Sequence, residues 1–429
     1  MQFERPKDVL LKETIMARRV VITGLGTVNP LGNNVKDYWR RVQNCENGIG
    51  RITSFDPAPY PSQVAGEVKD FDPSQYLEKK EIRRMDLFCL YAVVAAMEAM
   101  KDAGISDGVV DPPRIGCVLG NGIGGIKTIC DQVLRHAEIG MRGIHPLLIP
   151  KMISNIAPAQ IAIRFNAQGP SYTVVTACSS AADAIGSSLH LIQNGTADVM
   201  ITGGTEAPLV PVAAAGFCAI QALSTKYNDA PERASRPFDK NRDGFVMAEG
   251  AGIIIIEELE HAKRRGAPIY AELAGFGISC DANHLTAPHP EGRGGIQAMQ
   301  MALKTAGLEP KDIDYINAHG TSTPLNDPTE TKAIKAVFGE EVKRIKTSST
   351  KSMVGHLLGG AGGVEAIVCA LALKEQYYPG TRNLEEPDPE CDLDYLPGKG
   401  MKGEMRALLS NSLGFGGHNG ILCMKRYQH

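Results

Sequence analysis

The run VVTACSSAADAIGSSLHLIQNG, residues 174–195, places a cysteine where an apolar segment stops and a small-residue helix starts. Upstream, SYTVVTA (171–177) is rich in β-branched residues and reads as a buried strand. Downstream, Ala181, Ile185, Leu189 and Ile192 fall on one helical face, and Gly195 ends the helix. Cys178 sits on the turn between them. A helix N-terminus offers unpaired N–H groups and a positive dipole end, which favours a thiolate. On position alone, Cys178 reads equally as a nucleophile or as one of ten inert cysteines.

Strand-like runs alternate with helical patterns along the whole chain. RRVVITGLG (18–26) precedes a helix over 35–42, and the helix LFCLYAVVAAMEAMKDAG (87–104) precedes RIGCVLGNG (114–122). ADVMITGG (197–204) and AGIIIIEEL (251–259) follow. In the second half come IYAELAGFGIS (269–279), IDYINAHG (313–320), IKTSSTK (345–351), RALLSNSLGFGG (406–417) and GILCMKR (420–426). This is α/β with substantially buried sheets. The second half also repeats the opening pattern, because GHLLGGAGGVEAIVCALALKE (355–375) follows IKTSSTK as the Cys178 helix follows its strand. Both helices are rich in Gly, Ala and Ser, so they are expected to pack against each other at the centre. The reading is two similar halves, 17–266 and 267–429, with an extension over 1–16. Met16 followed by ARRVVITGLG resembles a natural start.

The chain has 429 residues, 43% hydrophobic and 22% charged, with a net charge of −3. That is ordinary globular composition, and no global positive field points to nucleic acid. No apolar run reaches membrane-span length. The cysteines are scattered without a C-x-x-C pair, so neither a metal site nor a disulfide framework is indicated, and a reducing, cytoplasmic setting is the simpler reading.

Two histidines are placed at expected strand ends, where α/β proteins build sites. His319 lies in DYINAHGTSTPLND, and His356 lies in STKSMVGHLLGGAGG with Lys351 five residues before it. Together the blocks TACSSAADAIG, NAHGTSTPLND, TKSMVGHLLGGAGGVEA, SRPFDKNRDGFVMAEGAG and SNSLGFGGHNG resemble the β-ketoacyl-acyl carrier protein synthases, the elongating condensing enzymes of fatty acid synthesis. The resemblance runs from about Ala17 to the C-terminus. It implies the thiolase-like fold, with duplicated halves in five layers α-β-α-β-α, and a homodimer. It also implies no resident cofactor, since the phosphopantetheine arm arrives on acyl carrier protein.

By the same resemblance, Cys178 carries the acyl chain, and its own N–H and that of Phe415 form an oxyanion hole. His319 and His356 stabilise the enolate left when malonyl-carrier protein loses CO₂. Lys351 is expected to act structurally and electrostatically, paired with Glu330, although Glu330 reads equally as a first-turn acid of the helix DPTETKAIKAVF. Thr321 and Thr323 resemble hydroxyls that bind the phosphopantetheine arm, and turn chemistry before Pro324 explains them as well. Ile123, in LGNGIGG, holds a depth-setting position in the acyl tunnel, and Phe415 gates it. The basic run EKKEIRRMD supplies Lys79, Lys80, Arg83 and Arg84 as a dock for the acidic carrier protein, or simply a charged helix start. Two positions depart from the family pattern: Gln221 stands where relatives often carry Arg, and His418 where a small hydroxyl is usual.

Related chemistries fit less well. A thiolase needs a second cysteine in the C-terminal Gly-rich motif, which GFGGHNG lacks. An initiating synthase has Asn in place of one histidine, a chain-length factor lacks the nucleophile, and a non-enzymatic scaffold has no use for Cys178, His319 and His356 together.

Overall fold

The computed structural model describes residues 18–428, so the extension assigned to 1–16 lies outside the described residues. Among the described residues, the first half gives the large sheet five strands: β1 Val20–Val28, β2 Ile115–Gly120, β3 Ser171–Val174, β4 Val199–Glu206 and β5 Gly250–Glu258. The second half gives that sheet five more: β6 Ala271–Cys280, β7 Tyr315–Asn317, β8 Lys346–Ser348, β9 Ala407–Gly414 and β10 His418–Lys425. They bond in the order β8-β7-β9-β10-β6-β1-β5-β4-β2-β3. Counted outward from the middle, the halves run β1-β5-β4-β2-β3 and β6-β10-β9-β7-β8. Adding five to each strand of the first half gives the second.

The strand directions repeat as well. In each half the two inner pairings are antiparallel and the two outer ones parallel. Among the described residues, only a two-residue pairing, Val21 with Glu272 and Ile22 with Ala271, joins the halves into one sheet. The duplication expected from the small-residue helices is therefore present in the topology.

Helices complete the layers. Helix α1, Leu87–Asp102, covers β1 and β5 on one outer face. Between the halves lie α2, Ser180–Gln193, and α5, Ala361–Glu375, which touch each other and strands of both halves. On the other outer face α3, Arg293–Ala306, packs on β6, β10 and α4, Asn326–Phe338. From Ala361 to Leu373 every residue of α5 is buried, as expected for a helix with no polar face.

Two sequence expectations are corrected here. The strand expected over 171–177 is only four residues long and lies at the edge of the sheet, with Tyr172 40% and Val175 57% exposed. β-Branched composition reports fit to a pleated surface, and it does not by itself report burial. His356 does not end a strand: it follows the short helix Lys351–Val354, and its backbone bonds to Val246 and Ala248. Among the described residues no helix is long and apolar enough to cross a membrane.

Candidate active site

Cys178 stands on a single 3₁₀ turn, Ala177–Ser179, between β3 and α2. Ala177 has φ +50°, a left-handed value that a non-glycine residue rarely adopts, and this turns the chain sharply out of the strand direction. Ser322 (φ +71°) and Leu358 (φ +46°) have similar backbone strain and flank the same cavity. Hydroxyls fix the turn. Ser180 Oγ donates to the Ala177 carbonyl at 2.6 Å, and Thr176 and Ser179 both donate to Asp183 Oδ2.

The cavity holds about 440 Å³, and Cys178, His319, His356, Phe415, Thr321 and Ile123 all line it. The first half supplies Cys178. The second supplies the histidines and Phe415. The backbone N–H groups of Phe415 and of Cys178 itself both act on the sulfur. Gly414 makes this approach possible: a Cβ there would lie 3.0 Å from the Thr176 carbonyl and 3.1 Å from the Cys178 nitrogen. N–H groups that hydrogen-bond the sulfur favour its ionised form.

The helix end does not make Cys178 a ready thiolate. Burial pushes its thiol up to about 11, against the Lys351 charge and the Phe415 N–H, which pull it down. Desolvation outweighs the dipole invoked from sequence.

His319 and His356 meet edge to face with ring centroids 5.3 Å apart, and Phe245 backs His356 at 5.4 Å. Both are buried residues on the cavity wall, and Nδ1 of each is enclosed without a hydrogen-bond partner, whereas Nε2 is not among the enclosed unpartnered atoms. Burial, then the Lys351 charge, hold both imidazoles well below the ordinary histidine range, so both stay neutral.

Lys351 is 1% exposed and its ammonium pairs with Glu365 on α5. The pairing with Glu330 expected from sequence is therefore wrong. Glu330 instead accepts the N–H groups of His319 and Gly320 at 2.8 Å each, and Asn411 Nδ2 at 3.0 Å. It fixes the His319 backbone, while Lys351 neutralises a different buried acid. Glu365 was missed, although one acid within the otherwise apolar GGVEAIVCALAL was a visible signal. Lys351→Met is expected to cost roughly 3–5 kcal/mol by leaving Glu365 buried and unpaired. Lys351→Met combined with Glu365→Leu should recover most of that in urea denaturation. Equal midpoints for the two variants would count against the pair's importance to folding.

Thr321 and Thr323 face each other, Oγ1 to Oγ1, at 3.0 Å on the cavity wall. Thr323 Oγ1 also accepts the Asn326 N–H at 3.3 Å, so turn capping and exposure to the cavity coexist. Ile123 is partly buried against the cluster of Leu209, Phe245, Met247 and Leu358. Lys79, Lys80, Arg83 and Arg84 are exposed on and just after the short helix Lys79–Ile82, and they do not line the cavity. Gln221 lies at the cavity mouth, and the His418 ring sits 3.0 Å from where a Cβ on Gly416 would be.

A family model described as beta-ketoacyl synthase, N-terminal domain, matches residues 17–262, and its C-terminal counterpart matches 270–385. A 3-oxoacyl-[acyl-carrier-protein] synthase 2 from Synechocystis sp. is 51% identical over 411 residues, covering 96% of this chain and 99% of that protein. The protein of the same name from Staphylococcus aureus is 51% identical over 413 residues, with the same coverage. A solved beta-ketoacyl synthase from Burkholderia phymatum superposes with a TM-score of 0.89 at 35% identity, covering 96% of this chain and all of that one. A type II polyketide ketosynthase, solved in complex with its acyl carrier protein and bound to a hexaketide, gives 0.87 at 35% identity over the same shares. With the duplicated fold and the cysteine and two histidines gathered in one cavity, these matches place the chain in the beta-ketoacyl synthase family, whose members need no cofactor of their own.

Proposed function

We propose that the chain condenses malonyl-acyl carrier protein with an acyl group held on Cys178, with loss of CO₂, to give β-ketoacyl-acyl carrier protein and so elongate fatty acids. One observation carries this reading: a nucleophile, two N–H donors aimed at it and two neutral imidazoles share one 440 Å³ cavity.

The Cys178 thiolate attacks the thioester carbonyl of acyl-carrier protein. The N–H groups of Cys178 and Phe415 hold the oxyanion. The carrier's thiolate leaves and takes up the proton released from Cys178. Malonyl-carrier protein then enters along Thr321 and Thr323. Its carboxylate C–C bond breaks to release CO₂, and the electron pair moves onto the thioester oxygen, where Nε2–H of His319 and of His356 both donate. The enolate carbon attacks the Cys178 thioester. A C–C bond forms, the C–S bond breaks, and the Cys178 thiolate is regenerated. Lys351 and Glu330 touch no reacting atom in this scheme; they set the field and the backbone that the histidines need.

The carrier protein docks on Lys79, Lys80, Arg83 and Arg84, which are solvent-exposed and have no ion-pair partner among the described residues. The enzyme works as a cytoplasmic homodimer. The exposed edge strand β3 supports the dimer, as does the segment over 144–163, which leaves Ile149 58% and Ile163 76% exposed. The catalytic labour divides between a first half over 17–266 and a second over 267–429. Sedimentation at micromolar concentration is expected to show a dimer, and a monomer would contradict this.

Ile123→Phe is expected to narrow the acyl range. Overpacking an apolar wall typically costs roughly 1–3 kcal/mol, and only a chain long enough to reach it should bear that cost. Turnover with short and long acyl-carrier proteins checks this, and equal losses would make Ile123 a folding residue. The function as a whole is tested by supplying acyl- and malonyl-carrier protein and identifying the β-ketoacyl product by mass. No product with any chain length would refute it.

A further inference from the structure

Glu206, at the end of β4, is fully buried, and its carboxylate accepts four N–H groups from two separate turns. Oε2 accepts from the N–H groups of Gly122 at 2.7 Å and Gly359 at 3.0 Å. Oε1 accepts from the Ile123 N–H and from Asn121 Nδ2, both at 3.1 Å. Asn121 is itself held: Nδ2 also donates to the Thr205 carbonyl at 2.6 Å, and Oδ1 accepts the Gly124 N–H at 2.5 Å. A Cβ on either Gly122 or Gly359 would lie 2.7 Å from Glu206 Oε2, so both turns need glycine to close on the carboxylate. One turn presents Ile123 to the cavity. The other begins two residues after His356 and presents Leu358.

We propose that Glu206 is a specificity-determining positioning residue, a clamp that holds the Gly122–Ile123 wall against the Leu358–Gly360 turn and so keeps the deep acyl pocket formed for long chains. The proposal rests on the condensing activity above. A long chain passes Ile123 and needs both turns already ordered. Without the clamp it must order them itself, and that conformational cost weakens its binding. A short chain stops above the wall and does not bear this cost. Glutamine is no substitute, because its amide nitrogen presents two hydrogens where the carboxylate accepts two N–H groups.

Burial pushes the Glu206 carboxyl up to about 7, with the N–H groups of Gly122, Ile123 and Gly359 opposing the rise. The wild-type enzyme therefore samples the protonated, weakened clamp as pH falls. Cys178 is the titrating group that Glu206 influences, and it is common to long and short substrates, so it cancels in their ratio. Glu249, next to the Gly250 that pairs with Glu206, is likewise pushed up to about 7 by burial, so the comparison with Glu206→Gln is what assigns the pH dependence; Asp86 accepts from Thr128.

The test is single-turnover acylation of Cys178 by short and long acyl-carrier proteins, followed by intact mass, on the full chain as wild type, Glu206→Gln and Glu206→Asp. The long-to-short rate ratio is expected to fall about fivefold or more in Glu206→Gln, mainly through weaker half-saturation by the long substrate. Glu206→Asp, with the acceptors kept but withdrawn, should fall between. Malonyl decarboxylation should change less than about twofold. In the wild type the ratio should drop between about pH 8 and pH 6, and in Glu206→Gln it should be flat. An unchanged ratio, equal losses for both chains, a rise for the long chain, or a pH-independent wild-type ratio would each overturn the proposal. If Glu206→Gln does not fold, Glu206→Asp, which keeps a carboxylate but withdraws it from the two turns, decides by its ratio. Failure of every acyl-carrier protein to acylate the wild type is a different result, and it would refute the condensing activity itself.

Discussion

Alanine at Cys178 will abolish condensation, while glutamine there will leave a protein that still releases CO₂ from malonyl-acyl carrier protein. Acyl transfer needs the sulfur, and removing a nucleophile from an integrated site costs at least about 10³-fold. Decarboxylation needs only a receiver for the enolate, and His319 and His356 remain in either variant. Glutamine places a carbonyl where the acylated cysteine would carry one, within reach of the Cys178 and Phe415 N–H groups, so it mimics the acyl-enzyme. The measurement is CO₂ release alongside β-ketoacyl product. A folded Cys178→Gln protein that releases no CO₂ would break the proposed division between the two steps. In the wild type, the thiol lifted to about 11 gives a second expectation: alkylation of Cys178 by iodoacetamide should keep climbing as pH rises above neutrality.

Replacing either histidine by alanine is expected to lower decarboxylation by roughly 10²–10³-fold, the usual cost of one lost donor to a developing oxyanion. Neither loss should be rescued by lowering the pH. Both rings are held neutral by burial and by the Lys351 charge, so each already donates as a neutral imidazole. Decarboxylation by the wild type should therefore stay level well below pH 6.5. Stability moves the other way. A histidine whose folded pKa is depressed binds protons more readily unfolded, so its contribution is intact above about pH 6.5 and is lost as pH falls below it. Rates falling in step with protonation near pH 6.5 would mean that the rings titrate freely and that the electrostatic account of the site is wrong. A loss under about tenfold for both variants would remove them from the chemistry.

What the sequence disclosed follows from locality. The strand–turn–helix around Cys178, the His319 turn and the Lys351–His356 block each lie within a few residues of chain, so their local signals survive in the letters. The repeat was legible because both central helices carry small residues, and the topology confirms it strand by strand. The failures were contacts between distant segments. Lys351 could be assigned to Glu330 or to Glu365 only by knowing which helix passes its ammonium. Glu206 gave no local signal, because its partner Gly359 lies 153 residues away. The edge position of β3 was equally hidden, since an apolar strand looks the same whether another strand of the same chain or a second copy covers it.

The repeated topology makes two elbows, and the chain has used them differently. Ala177–Ser179 leads from β3 towards α2, and Leu358–Gly360 leads into α5, each opening on a left-handed residue. Counted from that residue, Gly359 occupies the place of Cys178. Each elbow is faced by the end of a strand that is fourth in its half. Gly414 of β9 passes close to Cys178 and leaves room for chemistry, while Glu206 of β4 fills the equivalent space and takes the Gly359 N–H. One elbow is armed with sulfur, and its twin is plugged by a carboxylate. The two elbows thus keep the same backbone path and hold different chemistry, a thiol at one and a buried carboxylate that ties down the other.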